Sequence, residues 1–108
     1  MRKSPPPLTP TTRRVLADLG ADLSAARRRR RLPLEVVAQR AGITRQTLAK
    51  IEKGDPSVSM GGWASVLFAL NLSDGLRHIA SAADDRVGLD LETEQLPQRV
   101  HLPKRRES

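Results

Sequence analysis

The chain has 108 residues, of which 19 are Lys or Arg and 12 are Asp or Glu, giving a net charge of +7; this bounds it to one small domain with tails. With no cysteine, disulfide scaffolds, thiolate metal sites and thiol nucleophiles are excluded together. Trp63 and Phe68 are its aromatic residues, so the core has to come from Leu, Val, Ile and Ala, and this bias toward good helix formers predicts an all-α fold.

Residues 1–11 read as a disordered or extended basic tail, because Pro5, Pro6, Pro7 and Pro10 remove backbone donors and fix φ. The prolines stand where the apolar core of a signal peptide would be. No run approaches the ~18 apolar residues of a membrane span, so a cytoplasmic protein that does not enter a membrane is expected. From 12 to 82 the periodicity predicts five helices. The first covers Thr12 to Arg30, with Leu16, Leu19, Leu23 and Ala26 on one face. The second runs from Pro33 to Arg40 on a stripe of Leu34, Val37, Ala38 and Ala41, and Gly42 ends it. Thr44 caps the third, which buries Leu48 and Ile51 and ends at Gly54.

Ser59 caps a fourth helix with Met60, Trp63, Leu67 and Leu70 to one side. A fifth, from Asp74 to Ala83, is predicted to turn Leu76, Ile79 and Ala80 inward. Residues 83–108 read as an acidic and then basic tail or partner-binding segment. Ala83 to Leu96 holds five acidic residues and one basic one, which suits a solvated helix or linker that orders on a partner. Between Pro97 and Pro103, Val100 and Leu102 alternate with polar residues as in a short strand.

The informative stretch is Leu34 to Gly54, LEVVAQRAGITRQTLAKIEKG. Two short helices joined at Gly42 have the form of a helix-turn-helix, which needs small residues at the crossing and a backbone able to take φ > 0 between the helices. Ala38 and Gly42 meet those demands, and Val37, Ile43, Leu48 and Ile51 supply the apolar plugs. At 100° per residue, Arg45, Gln46, Ala49, Lys50 and Lys53 share the opposite face of the third helix. Arginine forks onto guanine O6 and N7 and glutamine onto adenine N6 and N7 in the major groove. The candidate base contacts are therefore Arg45, Gln46, Thr47 and Lys50. Thr44, Lys53 and the run Arg28, Arg29, Arg30 are candidates for phosphate.

Residues 19–82 resemble the lambda-repressor-like, or Xre, helix-turn-helix family, through Leu19-Gly20, Arg27, Leu32, Ala38, Gly42-Ile43-Thr44, Leu48 and Ile51-Glu52-Lys53-Gly54. The resemblance implies a five-helix DNA-binding domain whose third helix reads double-stranded DNA, acting as a homodimer on a palindromic operator. It also implies an Arg27–Glu52 pair. Where the family has Thr-Gln opening the second helix, this chain has Pro33-Leu34, so the phosphate contact of that glutamine is not carried over. The tail, Asp84-Asp85-Arg86-Val87-Gly88-Leu89 and then Leu96-Pro97-Gln98-Arg99-Val100, resembles antitoxins partnered with Hip-type kinase toxins. That likeness implies a toxin-neutralising alternative to the plain transcriptional repressor.

Blander readings apply elsewhere. Trp63 lies in a 3,4-spaced stripe and belongs to the core, and basic residues at a helix C-terminus also complement its dipole. His78 and His101 lack the paired spacing of metal ligands, and no phosphate loop or nucleophile elbow is present. Neither a cofactor nor an enzyme activity is expected.

Overall fold

The computed structural model describes residues 7–99. Among them the architecture is all-helical: α1 Pro10–Arg29, α2 Leu34–Ala41, α3 Arg45–Glu52, α4 Met60–Ala69, α5 Ser73–Arg77, a 3-10 turn at Ala82–Asp84, and α6 Arg86–Arg99. They fall into two units that divide after Leu76.

In the first unit α1 starts two residues ahead of the expected position. Thr9 Oγ1 accepts the Thr12 N–H at 3.1 Å, and Pro10 occupies the first turn, where its missing donor would be unsatisfied in any case. Leu23 and Ala26 are buried, with Leu16 and Leu19 packed on the core. Eight-residue helices such as α2 and α3 are too short to persist alone. They are held by Val37, Ala38, Leu48 and Ile51, which are almost fully buried.

Helix α4 buries Trp63, Val66 and Leu70. Met60, expected on this face, is 70% exposed; it is the first residue of the helix, and side chains lean toward the N-terminus, carrying this one past the packed turns. Helix α5 is also shorter than the expected Asp74 to Ala83. It stops at Arg77, and Ile79 and Ala80 are exposed rather than inward. Gly75 costs ~1 kcal/mol of helix propensity, and with Leu76 its one half-buried apolar residue no packed face offsets that loss.

The first four helices end in the same way. Each closes with two overlapping hydrogen bonds around a residue in the left-handed region, a pattern that satisfies carbonyls left open by the last turn. At the end of α1, Leu32 N–H reaches Arg27 O at 3.2 Å and Arg31 N–H reaches Arg28 O at 2.9 Å. The equivalent pairs are Ile43 to Ala38 and Gly42 to Gln39, Asp55 to Lys50 and Gly54 to Ile51, and Leu72 to Leu67 and Asn71 to Phe68. The four turning residues are Arg31, Gly42, Gly54 and Asn71, with φ of 55°, 72°, 79° and 64°. Glycine and asparagine enter this region readily, whereas an ordinary L residue is strained there by ~1–2 kcal/mol.

The end of α3 sits directly on the middle of α1. A Cβ at Gly20 would collide with Ile51 O and lie 2.8 Å from Gly54 N, while one at Gly54 would lie 2.6 Å from the Cα of Ala17. Two glycines facing each other thus let main chain meet main chain.

In the second unit Ser81 Oγ donates to Asp84 Oδ2 at 3.1 Å, and Asp85 Oδ1 accepts the Gly88 N–H at 2.9 Å, opening α6. Of the two forms open to the acidic stretch, helix or linker, it takes the helix. Gln98 and Arg99 are helical too, where a strand is expected; the rest of that strand, with Val100 and Leu102, lies outside the described residues, as do the first six residues of the N-terminal tail.

Two substitutions of opposite sign test this packing. An alanine at Gly20 gains up to ~1 kcal/mol of helix propensity, but overpacking costs ~1–3 kcal/mol and backbone atoms cannot swing aside. Gly20→Ala is expected to lose roughly 2 kcal/mol of stability in urea unfolding. Arg31→Gly relieves the left-handed strain and is expected to gain ~0.5–1 kcal/mol.

Candidate nucleic-acid interface

Helices α2 and α3 are joined by Gly42, Ile43 and Thr44. Gly42 turns the chain, and Ile43 joins the partly buried residues packed on the core. Thr44 is extended, with φ −77° and ψ 159°, so its hydroxyl sits over the first turn of α3, accepting the Thr47 N–H at 3.0 Å and donating to Thr47 Oγ1 at 2.9 Å. Leu48 and Ile51, with Val37 across from them, have no measurable exposure. This fixes the rotation of α3 about its axis.

That rotation leaves Arg45, Gln46, Lys50 and Lys53 exposed together, with Ala49 between them half-buried and small. Two ammonium groups, a forked guanidinium and an amide thus share one side of a helix that a groove ~12 Å wide can admit. Thr47 is half-buried and its hydroxyl faces the Thr44 cap. Thr44 itself is exposed at the edge of the same surface.

The inner side of α3 is tied to α1 by charge as well as by packing. Arg27 Nε donates to Glu52 Oε2 at 2.7 Å and its Nη2 to Glu52 Oε1 at 3.1 Å. The remaining Nη1 donates to Leu32 O at 3.0 Å. Both side chains are largely buried, 13% and 12% exposed. The hydrogen bonds to Glu52 raise the Arg27 pKa against the opposing cost of burial. A bidentate pair of this kind is among the stronger protein hydrogen-bond arrangements, and it takes the Glu52 carboxylate out of the field facing a polyanion.

The arginine run divides. Arg28 Nε donates to Ser24 O at 3.3 Å and Arg30 Nη1 to Ala26 O at 2.9 Å, so both lie over the last carbonyls of α1, where a cation complements the helix dipole. Arg29 is exposed. At ~1.5 Å per residue these side chains start ~12 Å or more along α1 from Gly20, where α3 is seated.

Two acidic groups lie near this surface, Asp55 in the polar turn that Asp-Pro-Ser predicts and Glu35. Asp55 Oδ1 accepts the Ser57 N–H at 2.8 Å, and this bond, with one to the Ser57 side chain, lowers its pKa; the Asp-Pro-Ser spacing is a recognisable turn signal. Glu35, in the first turn of α2, places Oε2 3.5 Å from Arg45 Nη1. No periodicity joins residues ten apart across a turn, so no sequence signal marks this pair.

Among the described residues no group of three or more His, Cys, Asp or Glu is arranged to hold a metal ion, and no helix is long and apolar enough to cross a membrane. No curated protein and no solved structure matches the chain. The profile of a family described as a helix-turn-helix domain matches residues 18–79, more than half of the chain. Since that span holds the Gly20 seat, the α2–α3 crossing and the whole exposed face of α3, the chain belongs to the helix-turn-helix domain family, a DNA-binding class.

Proposed function

We propose that the protein is a sequence-specific transcriptional regulator, a repressor that binds a palindromic operator as a homodimer in the cytoplasm. The observation that carries this reading is the grouping of Arg45, Gln46, Lys50 and Lys53 on the one side of α3 that the core leaves exposed. Arg45 and Gln46 stand at the N-terminal end of the helix, the end whose side chains contact base edges in this motif. Their roles are base readout, with Lys50 and Thr47 beside them. Thr44, Lys53 and the Arg28, Arg29, Arg30 run hold phosphates and set the register.

The dimer reading is supported by α4, whose sequence MGGWASVLFA has no charged residue. Met60 and Phe68 are 70% and 72% exposed and, at i and i+8, share one apolar face of the helix. Two copies that each carry +7 repel one another, so an uncharged apolar face is where they meet at least cost.

A second reading, an antitoxin that neutralises a Hip-type kinase toxin and represses its own operon, draws support from α6. Val87 and Leu91 are exposed one turn apart, in a helix that also carries Asp90, Glu92 and Glu94, a combination suited to docking on a protein partner.

Selection from a random duplex library is expected to yield a two-fold symmetric site. Arg45→Ala and Gln46→Ala should each lower discrimination by ~1–3 kcal/mol while leaving binding to scrambled duplex in place; equal losses on both duplexes would sink the recognition-helix assignment. Neutralising Arg28, Arg29 and Arg30 together should flatten the log–log salt slope by about 0.9 for each phosphate these side chains neutralise. In sedimentation, Phe68→Glu is expected to shift the protein toward monomer and weaken operator binding. Replacing Val87 and Leu91 by Glu should leave operator binding intact and abolish complex formation with a co-expressed kinase-like product of the adjacent gene; retention of that complex rules out α6 as the docking face.

A further inference from the structure

Glu35 and Arg45 belong to different helices, and the turn through Gly42 brings them together. The carboxylate of the first lies 3.5 Å from the guanidinium of the second, and both side chains are well exposed, 64% and 61%. At that separation the contact is made by charge rather than by a short hydrogen bond. Around it, the exposed groups of α3 are Gln46, Lys50 and Lys53, an amide and two cations. Glu35 therefore puts a negative charge at the edge of a surface otherwise suited to a polyanion.

Such a carboxylate acts differently on the two ways a duplex can be held. In loose, sequence-independent binding the cations face phosphate. There Glu35 opposes the phosphate charge and neutralises part of Arg45. In specific binding the guanidinium forks onto a guanine edge with two of its five N–H groups. The others remain for the carboxylate, which then steadies the fork instead of competing with it.

Building on the reading of α3 as the recognition helix, we propose that Glu35 is a specificity-determining residue that works through Arg45. It positions the guanidinium for bidentate contact with a base edge and lowers its attraction to phosphate. The consequence is a wider gap between specific and non-specific affinity rather than tighter binding overall.

The test uses the full chain, the duplex enriched by selection from a random library, and a scrambled duplex of equal length, titrated over a salt series. Glu35→Gln keeps size and hydrogen-bonding capacity while removing the charge. It is expected to tighten binding to scrambled duplex roughly two- to fivefold, the range set by an exposed ion pair, to steepen the salt slope there by about 0.9, and to change the selected duplex less. In an Arg45→Ala background the same substitution should no longer alter the ratio of the two affinities. An equal change on both duplexes, no change on either, or an undiminished effect without Arg45 overturns the proposal, since Glu35 would then be a general surface charge or a helix-dipole group. Failure of the wild-type protein to enrich any duplex overturns the recognition-helix reading and this proposal with it, whereas enrichment with an unaltered ratio overturns this proposal alone.

Discussion

The first unit rests on a contact between two backbones. Gly20 in α1 and Gly54 at the end of α3 present no side chain to one another, so Ile51 O and Gly54 N come within reach of the α1 main chain. Any Cβ at either position would lift α3 away from α1, and the Arg27–Glu52 pair, with its 2.7 Å bond, would no longer span the gap. The two features reinforce each other: the glycines set the distance, and the ion pair, with the arginine also held by Leu32 O, fixes α3 along its length. None of these groups faces outward. The exposed side of α3 is therefore free to carry whatever residues a target demands without altering what holds the helix in place.

Short helices make the ends as significant as the middles. In α2 and α3, each of eight residues, the unsatisfied groups of the first and last turns comprise about half of the backbone donors and acceptors. Thr44 and Ser59 satisfy donors at two N-termini, and the paired bonds around Arg31, Gly42, Gly54 and Asn71 satisfy acceptors at four C-termini. Gly54 serves both purposes, closing α3 and meeting α1. Arg31 is the odd member, a long side chain in a conformation that favours glycine, with its charge held at the exposed end of the arginine run.

The elements are legible where side-chain pattern and packing coincide. Val37, Ala38, Leu48 and Ile51 follow helical spacing, and each is buried; Thr44, Ser59, Gly42 and Gly54 carry their capping chemistry in their own identity. Periodicity marks an apolar face without saying whether anything lies opposite it, and so Met60 and Ile79 continue a stripe past the last packed turn. The Thr9-Pro10 start is hidden for a related reason, because a proline suits an extended tail as well as the first turn of a helix. The Arg27–Glu52 pair is legible through family resemblance and not through spacing, since 25 residues separate the partners. Glu35 leaves no signal at all, because its meeting with Arg45 is a product of the turn angle and not of any repeat.

Charge is partitioned as sharply as packing. Up to Leu76, where the first unit ends, the sequence holds thirteen basic and six acidic residues; from Arg77 onward it holds six of each. The entire net charge of +7 thus belongs to the unit that carries the helix-turn-helix, and the second unit is neutral. Attraction to a duplex is in consequence a property of the first unit, which needs no help from the remainder of the chain in this respect but does need restraint. A surface this basic binds any phosphate backbone, and affinity of that kind carries no sequence information. Two of its six carboxylates meet arginines in different settings. Glu52 is consumed inside the fold by Arg27, while Glu35 stays at the surface beside the first side chain of α3. The first therefore contributes to shape and the second to the field that a passing duplex meets.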